Sequence, residues 1–111
     1  MTIRCICIDD EPLARQGIKL ALQPYANFEL VAQYGAADEY LKEIEANHAP
    51  DADVLFVDIE MPRMNGFELI EQLDSKLPLI TFVTAYDQYA IKAFEQQALD
   101  YILKPILEDR F

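Results

Sequence analysis

The stretch Val54-Leu55-Phe56-Val57-Asp58-Ile59-Glu60-Met61-Pro62-Arg63-Met64-Asn65-Gly66 limits what this chain can fold into more than any other. Four apolar residues without alternation suit a strand buried on both faces, the condition of a strand inside a parallel sheet covered by helices. The run stops at a carboxylate, and a proline and an Asn-Gly pair then lead into a new helical pattern. Asp58 is therefore expected where a buried strand surfaces. In open α/β sheets that edge, outside the carboxyl ends of the strands, is where ligands bind.

The rest of the chain repeats the unit. Ile3 to Ile8 reads as a first strand ending in Asp9-Asp10-Glu11, with Pro12 suited to the first turn of a helix. That helix is expected to bury Leu13, Gly17, Ile18, Ala21 and Leu22. Phe28 to Tyr34 is a second strand whose polar interruptions at Glu29 and Gln33 suggest a sheet edge. Gly35 opens a second helix with an apolar stripe of Ala37, Tyr40, Leu41 and Ile44. After the Val54 strand, Asn65 caps a third helix that buries Gly66, Leu69, Ile70 and Leu73. Leu79 to Val83 is a fourth strand, ending at Thr84-Ala85-Tyr86. Asp87 is expected to cap a fourth helix in which Ala90, Ala93 and Phe94 share a face, and Tyr101-Ile102-Leu103 is the last strand, ending at Lys104-Pro105. Strands alternating with helices predict right-handed crossovers and a parallel sheet with helices on both sides. A fifth helix beside the last strand would begin near Leu107, and the abrupt ending leads us to expect that the chain continues in a longer protein.

Composition closes off several function classes. With 111 residues the chain makes one domain, and a hydrophobic fraction of 52% argues for a folded globule rather than an acidic disordered tail. The net charge of −11 is spread along the chain, so this surface would repel phosphate backbones and anionic membranes. Contact with DNA is expected only through another part of the protein. No apolar run approaches a membrane span and no secretory leader is visible, which points to the cytoplasm. Cys5 and Cys7 alternate with isoleucines within one strand and read as core packing, while His48 reads as a surface loop residue.

The strand ends carry the chemistry. They bring Asp9 and Asp10, Asp58, Thr84 and Lys104 to one edge. Three carboxylates in close quarters repel one another and are tolerated chiefly around a hard cation, for which oxygen ligands of this kind suit Mg²⁺. A lysine and a threonine beside them would bind an anion arriving later. Together these groups describe a phosphoryl-transfer site.

Asp9-Asp10-Glu11, the Asp58-Ile59-Glu60-Met61-Pro62-Arg63-Met64-Asn65-Gly66 run, Thr84-Ala85 and Lys104-Pro105, in this order after apolar strands, resemble the receiver domain of two-component response regulators. The resemblance covers essentially the whole chain. Asp10-Glu11-Pro12-Leu13-Ala14-Arg15, Thr84-Ala85-Tyr86-Asp87 and Ala98-Leu99-Asp100-Tyr101-Ile102-Leu103-Lys104-Pro105 further resemble receivers that precede a LytTR-type (LytR/AlgR-like) DNA-binding domain. The family implies a flavodoxin-like three-layer α/β sandwich with a five-stranded parallel sheet of order 2-1-3-4-5, the fifth helix largely missing here. It implies that Asp58 accepts a phosphoryl group from a sensor histidine kinase or a small phosphodonor. Asp9, Asp10, Asp58 and the backbone carbonyl of Glu60 would hold Mg²⁺, Lys104 would pair with the acyl phosphate, and Thr84 would hydrogen-bond it. Tyr101 matches the aromatic switch position, and the bond before Pro105 is expected to be cis. Dimerisation would use the face of the fourth helix, fifth strand and fifth helix, and an output domain would follow Phe111. The module is a phosphoacceptor, not an enzyme beyond phosphorylation and dephosphorylation of its own aspartate. Asn65 stands where the family commonly has aspartate, which affects only the cap.

Competing readings are weaker. A flavodoxin-like mononucleotide binder needs a Gly/Ser/Thr-rich phosphate cradle after the first strand, where this chain has Asp9-Asp10-Glu11-Pro12. A haloacid-dehalogenase-type Mg²⁺-dependent phosphatase needs an Asp-x-Asp pair, where this chain has Asp58-Ile59-Glu60. A phosphorylation-independent pseudo-receiver adaptor would not need the full acidic set together with Lys104 and Thr84.

Overall fold

Burial without interruption along Val54–Val57 places that strand at the centre of the sheet. The computed structural model describes residues 2–73 and 78–104. Their elements alternate as β1 (Ile3–Ile8), α1 (Pro12–Leu22), β2 (Phe28–Tyr34), α2 (Ala37–Glu45), β3 (Val54–Val57), α3 (Gly66–Gln72), β4 (Leu79–Thr84), α4 (Ala90–Glu95) and β5 (Asp100–Leu103). All neighbouring strands are parallel in the order β2-β1-β3-β4-β5, the expected flavodoxin-like topology. The register shifts once, between Cys5 and Ile6 in the pairing of β1 with the edge strand β2.

Strand pleating sorts the core into two layers. Ile6, Ile8, Leu55, Val57, Ile80 and Phe82 face α2, α3 and α4, meeting Ala37, Tyr40, Phe67, Leu69, Ile70 and Ala93. Cys5, Cys7, Val54, Phe56, Val83 and Ile102 face the other way, against Ile18 and Leu22 of α1. The two cysteines are thus buried core residues, and burial pushes the Cys7 thiol up to about 12, with Asp9 adding to the rise. His48 lies exposed after α2, as a loop residue should.

Asn65 caps α3 as expected, and more completely: its side chain accepts from the Glu68 N–H while the Glu68 carboxylate accepts from the Asn65 N–H. Three expectations for helix faces fail. Leu13 is 82% exposed, because the buried stripe of α1 runs through Ile18, Ala21 and Leu22 and begins only after the first turn. Ile44 is exposed at the end of α2, where Ala37 and Tyr40 do the packing. In α4 only Ala93 is buried, and Ala90 and Phe94 face outward. Nor does Asp87 cap that helix: α4 begins later, with Tyr89 at the cap position and no side-chain cap bond, because Asp87 lies in the preceding connection. The expected fifth helix and the Pro105 peptide bond lie outside the described residues.

Candidate functional site

The sheet ladder itself aligns the strand ends. The Asp9 N–H donates to the Tyr34 carbonyl at 3.0 Å, the Asp58 N–H to the Ile8 carbonyl at 3.0 Å, and the Lys104 N–H to the Thr84 carbonyl at 2.8 Å. Each residue is thus fixed one step beyond its strand, all on one rim. Asp9, Asp58 and Thr84 are buried, and Asp10 is exposed beside them. Asp9, Asp10 and Asp58 each offer a carboxylate oxygen, and these oxygens lie within 4.8 Å of one another. Such a set of oxygen donors suits a hard divalent cation.

Lys104 sits at the centre of the acids. Its ammonium is 2.9 Å from Asp9 Oδ2, 3.2 Å from Asp58 Oδ2 and 2.7 Å from Glu11 Oε1, with the side chain 14% exposed. Burial works to discharge this lysine, but the carboxylates around it outweigh burial and raise its pKa, so it remains an ammonium. Burial raises the carboxyl groups of Asp9 and Asp58, with Lys104 pulling both the other way. A further hydrogen bond from the Thr84 hydroxyl and one from the Ile59 N–H, at 2.7 Å, favour the ionised form of Asp58. One oxygen of Asp58 is therefore held by backbone while the other faces the lysine. The arrangement presents a fixed carboxylate beside a fixed cation, the geometry needed to receive an anionic group.

The residues singled out from sequence come together as follows. Asp9, Asp10, Asp58, Thr84 and Lys104 share the pocket. Glu60 follows on the outgoing turn with its carboxylate directed away from the acids, accepting a hydrogen bond from the Tyr89 hydroxyl at 2.9 Å. Tyr101 lies half-buried on β5, and its hydroxyl donates to the Tyr86 carbonyl in the connection after β4.

Three participants escaped the sequence reading. Glu11 is the shortest partner of Lys104, which holds its carboxyl below the usual range. Its position directly after the acid pair was the available signal. Arg15 Nη1 donates to the Asp9 carbonyl at 2.5 Å and braces the turn from the first turn of α1; only a three-dimensional view reveals that contact. Tyr89 reaches Glu60 across 29 residues of sequence, and no spacing rule links them.

The family model for the response regulator receiver domain matches residues 5–111. The chain is 47% identical over 109 residues to the transcriptional regulatory protein BtsR of Escherichia coli K12, and 48% identical over the same length to BtsR of Salmonella typhimurium. In both cases the match takes in 97% of this chain and 44% of the relative, so the chain spans less than half the length of these proteins. Among solved structures, the response regulatory domain of mrkE from Klebsiella pneumoniae superposes with a TM-score of 0.86 at 32% identity, covering 97% of this chain and 88% of that one. The REC domain of AraT, a response regulator from Geobacillus stearothermophilus, gives 0.81 at 34% identity, covering 99% and 87%. A family match over nearly the whole sequence, on the same sheet order and with the acidic rim in place, means that this chain belongs to the receiver domains of two-component response regulators.

Proposed function

We propose that the domain is a phosphoacceptor in which Asp58 takes a phosphoryl group from the phosphohistidine of a sensor kinase. The N–P bond of the donor breaks as the O–P bond to Asp58 forms, giving an aspartyl phosphate. The observation that carries this reading is the Lys104 ammonium at 3.2 Å from Asp58, with Asp9 and Asp10 beside it. Asp9, Asp10, Asp58 and the backbone carbonyl of Glu60 are the residues that would hold Mg²⁺, whose contribution is to neutralise phosphoryl oxygens during transfer. Asp58 is oriented by the Ile59 N–H, Lys104 pairs with the incoming charge, and Thr84 supplies a hydroxyl that turns toward the new phosphoryl oxygens. Tyr101 responds on β5, next to the connection that Thr84 begins.

The phosphoryl charge thereby biases the face formed by α4, β5 and the helix expected after it, through which the full protein pairs with a second copy. Relatives named transcriptional regulatory proteins, of which the matched part is 44%, support an output domain beyond Phe111. The resemblance to receivers of the LytTR type makes that domain DNA-binding, in keeping with a receiver whose charge of −11 suits it poorly to bind DNA itself. Such a protein works in the cytoplasm, and no helix among the described residues is long and apolar enough to cross a membrane.

Intact mass spectrometry after incubation with acetyl phosphate and Mg²⁺ tests the assignment. The parent gains one phosphate and Asp58→Asn gains none; an equal gain in both removes Asp58 from the role.

A further inference from the structure

The Glu60 carboxylate stands apart from the three acids of the rim. Instead of joining them it accepts the Tyr89 hydroxyl at 2.9 Å, and the Tyr86 hydroxyl hydrogen-bonds it as well. Tyr89 occupies the cap position of α4, where its carbonyl accepts the Ala93 N–H at 2.9 Å, so it belongs mechanically to the first turn of that helix. Its ring is seated edge-on against Phe67 of α3, with centroids 5.9 Å apart, and against Tyr86 at 6.2 Å. The same Phe67 ring carries Lys92 of α4 at 4.7 Å from its centroid. Apart from Ala93, α4 buries no side chain, so little else fixes its position. A polar cleft lies between the outgoing turn of β3 and α4, lined by Glu60, Pro62, Arg63, Phe67, Tyr89 and Lys92. Across it, the tyrosine hydroxyls that meet Glu60 are a direct tie between the helix and the residue two positions after Asp58.

We propose that Tyr89 is a positioning residue whose hydrogen bond to Glu60 couples the metal and phosphoryl pocket to the placement of α4. This tie runs through a different side chain from the Thr84 and Tyr101 pair, which it meets at Tyr86, and it rests on the reading of the pocket given above. Occupation of the pocket must settle the turn that carries Glu60, because the Glu60 backbone would face the metal. The Tyr89 hydroxyl passes that change to the first turn of α4. Coupling of this kind is reciprocal: a helix held through Tyr89 presents a better ordered turn to the metal.

The test is amide hydrogen exchange of the segment 89–96, measured by mass spectrometry with and without saturating Mg²⁺, alongside Mg²⁺ titration by calorimetry. Tyr89→Phe removes the hydroxyl and keeps the ring on Phe67. Without metal, exchange in this variant should be about threefold to tenfold faster than in the parent, the range for losing one partly exposed bond to a charged group. The Mg²⁺-dependent change in exchange seen in the parent should fall by at least half while Mg²⁺ still binds. Glu60→Ala should do the same, and the Tyr89→Phe/Glu60→Ala double variant should be no worse than either alone, the sign of a shared interaction. A Tyr86→Phe/Tyr89→Phe variant removes both hydroxyls and excludes rescue by Tyr86. Exchange and Mg²⁺ response unchanged in that last variant overturn the coupling, and so do additive losses in the Tyr89/Glu60 pair. Failure of the parent to bind Mg²⁺ overturns the pocket reading and the coupling with it. The metal-free exchange data distinguish that case from a missing Tyr89–Glu60 bond.

Discussion

Replacing Gly66 by alanine should damage this protein through a clash with backbone. Gly66 is buried at the start of α3, and its N–H donates to the Ile59 carbonyl at 2.8 Å. A Cβ at this position would fall far inside contact distance of the Asp58 carbonyl oxygen and within 3.2 Å of both Ile59 Cα and Val57 Cγ1. The Val57 side chain has rotational freedom, but the other two atoms are main chain at the end of the central strand. Alanine normally favours a helix by up to about 1 kcal/mol over glycine. Overpacking a filled site costs about 1–3 kcal/mol, and here the rigid neighbours place the cost toward the upper end. The net loss should be about 1–2 kcal/mol, a fall in Tm of roughly 5–15 °C for a domain of this size. Because relief requires α3 to move away from the Asp58 peptide, the phosphate gained from acetyl phosphate should fall as well. Gly35 provides the control: its added Cβ would meet only Arg15 Nη1, at an ordinary contact distance of 3.5 Å, so Gly35→Ala should unfold within about 0.5 kcal/mol of the parent. Thermal unfolding followed by circular dichroism reads both. A Gly66→Ala protein as stable as the Gly35→Ala protein would refute the reasoning.

Asn65→Ala removes one half of the capping box and should cost about 1 kcal/mol, read from the urea midpoint, with Asn65→Asp close to the parent. Asp58→Asn should stabilise the metal-free protein at pH 7 and raise its Tm, because burial disfavours the ionised carboxylate there and Lys104 retains Asp9 and Glu11; a lower Tm would contradict this. Lys104→Met should destabilise by about 2 kcal/mol at pH 7 by leaving two buried carboxylates without their cation. The carboxyl groups of Asp9 and Asp58 are raised in the fold, so their protonation favours the folded state. The deficit of Lys104→Met is therefore largest well above those raised values and shrinks as pH falls through them, and a deficit that grows on acidification would exclude the explanation.

The strands were legible because four of the five are short apolar runs closed by a polar residue at the same rim, and the second, broken by Glu29 and Gln33, reads as an edge. Ile3–Ile8 and Phe28–Tyr34 could be bounded from composition alone, and so could the joint position of Asp9, Asp58, Thr84 and Lys104. Helix faces were less readable. Leu13 and Phe94 satisfy the apolar period yet point outward, since period alone cannot say where a helix passes beyond the sheet it covers. The start of α4 was misplaced because Asp87 is a good capping residue in isolation, whereas the helix is short and buries only Ala93 of its own residues. Glu11, Arg15 and Tyr89 were missed because their partners are set by the approach of loops. A spacing rule sees only one element at a time.

The ammonium of Lys104 meets an acid 93 residues earlier in the chain. A ribosome making this protein therefore releases all of the negative side chains of the rim long before their counter-charge exists. Until the fifth strand docks, the incomplete polypeptide carries acids with nothing to hold them at bonding distance. The phosphoacceptor we propose would become competent only once its fifth strand has been made and docked, so a copy cut short before Lys104 would stay silent in the signalling circuit.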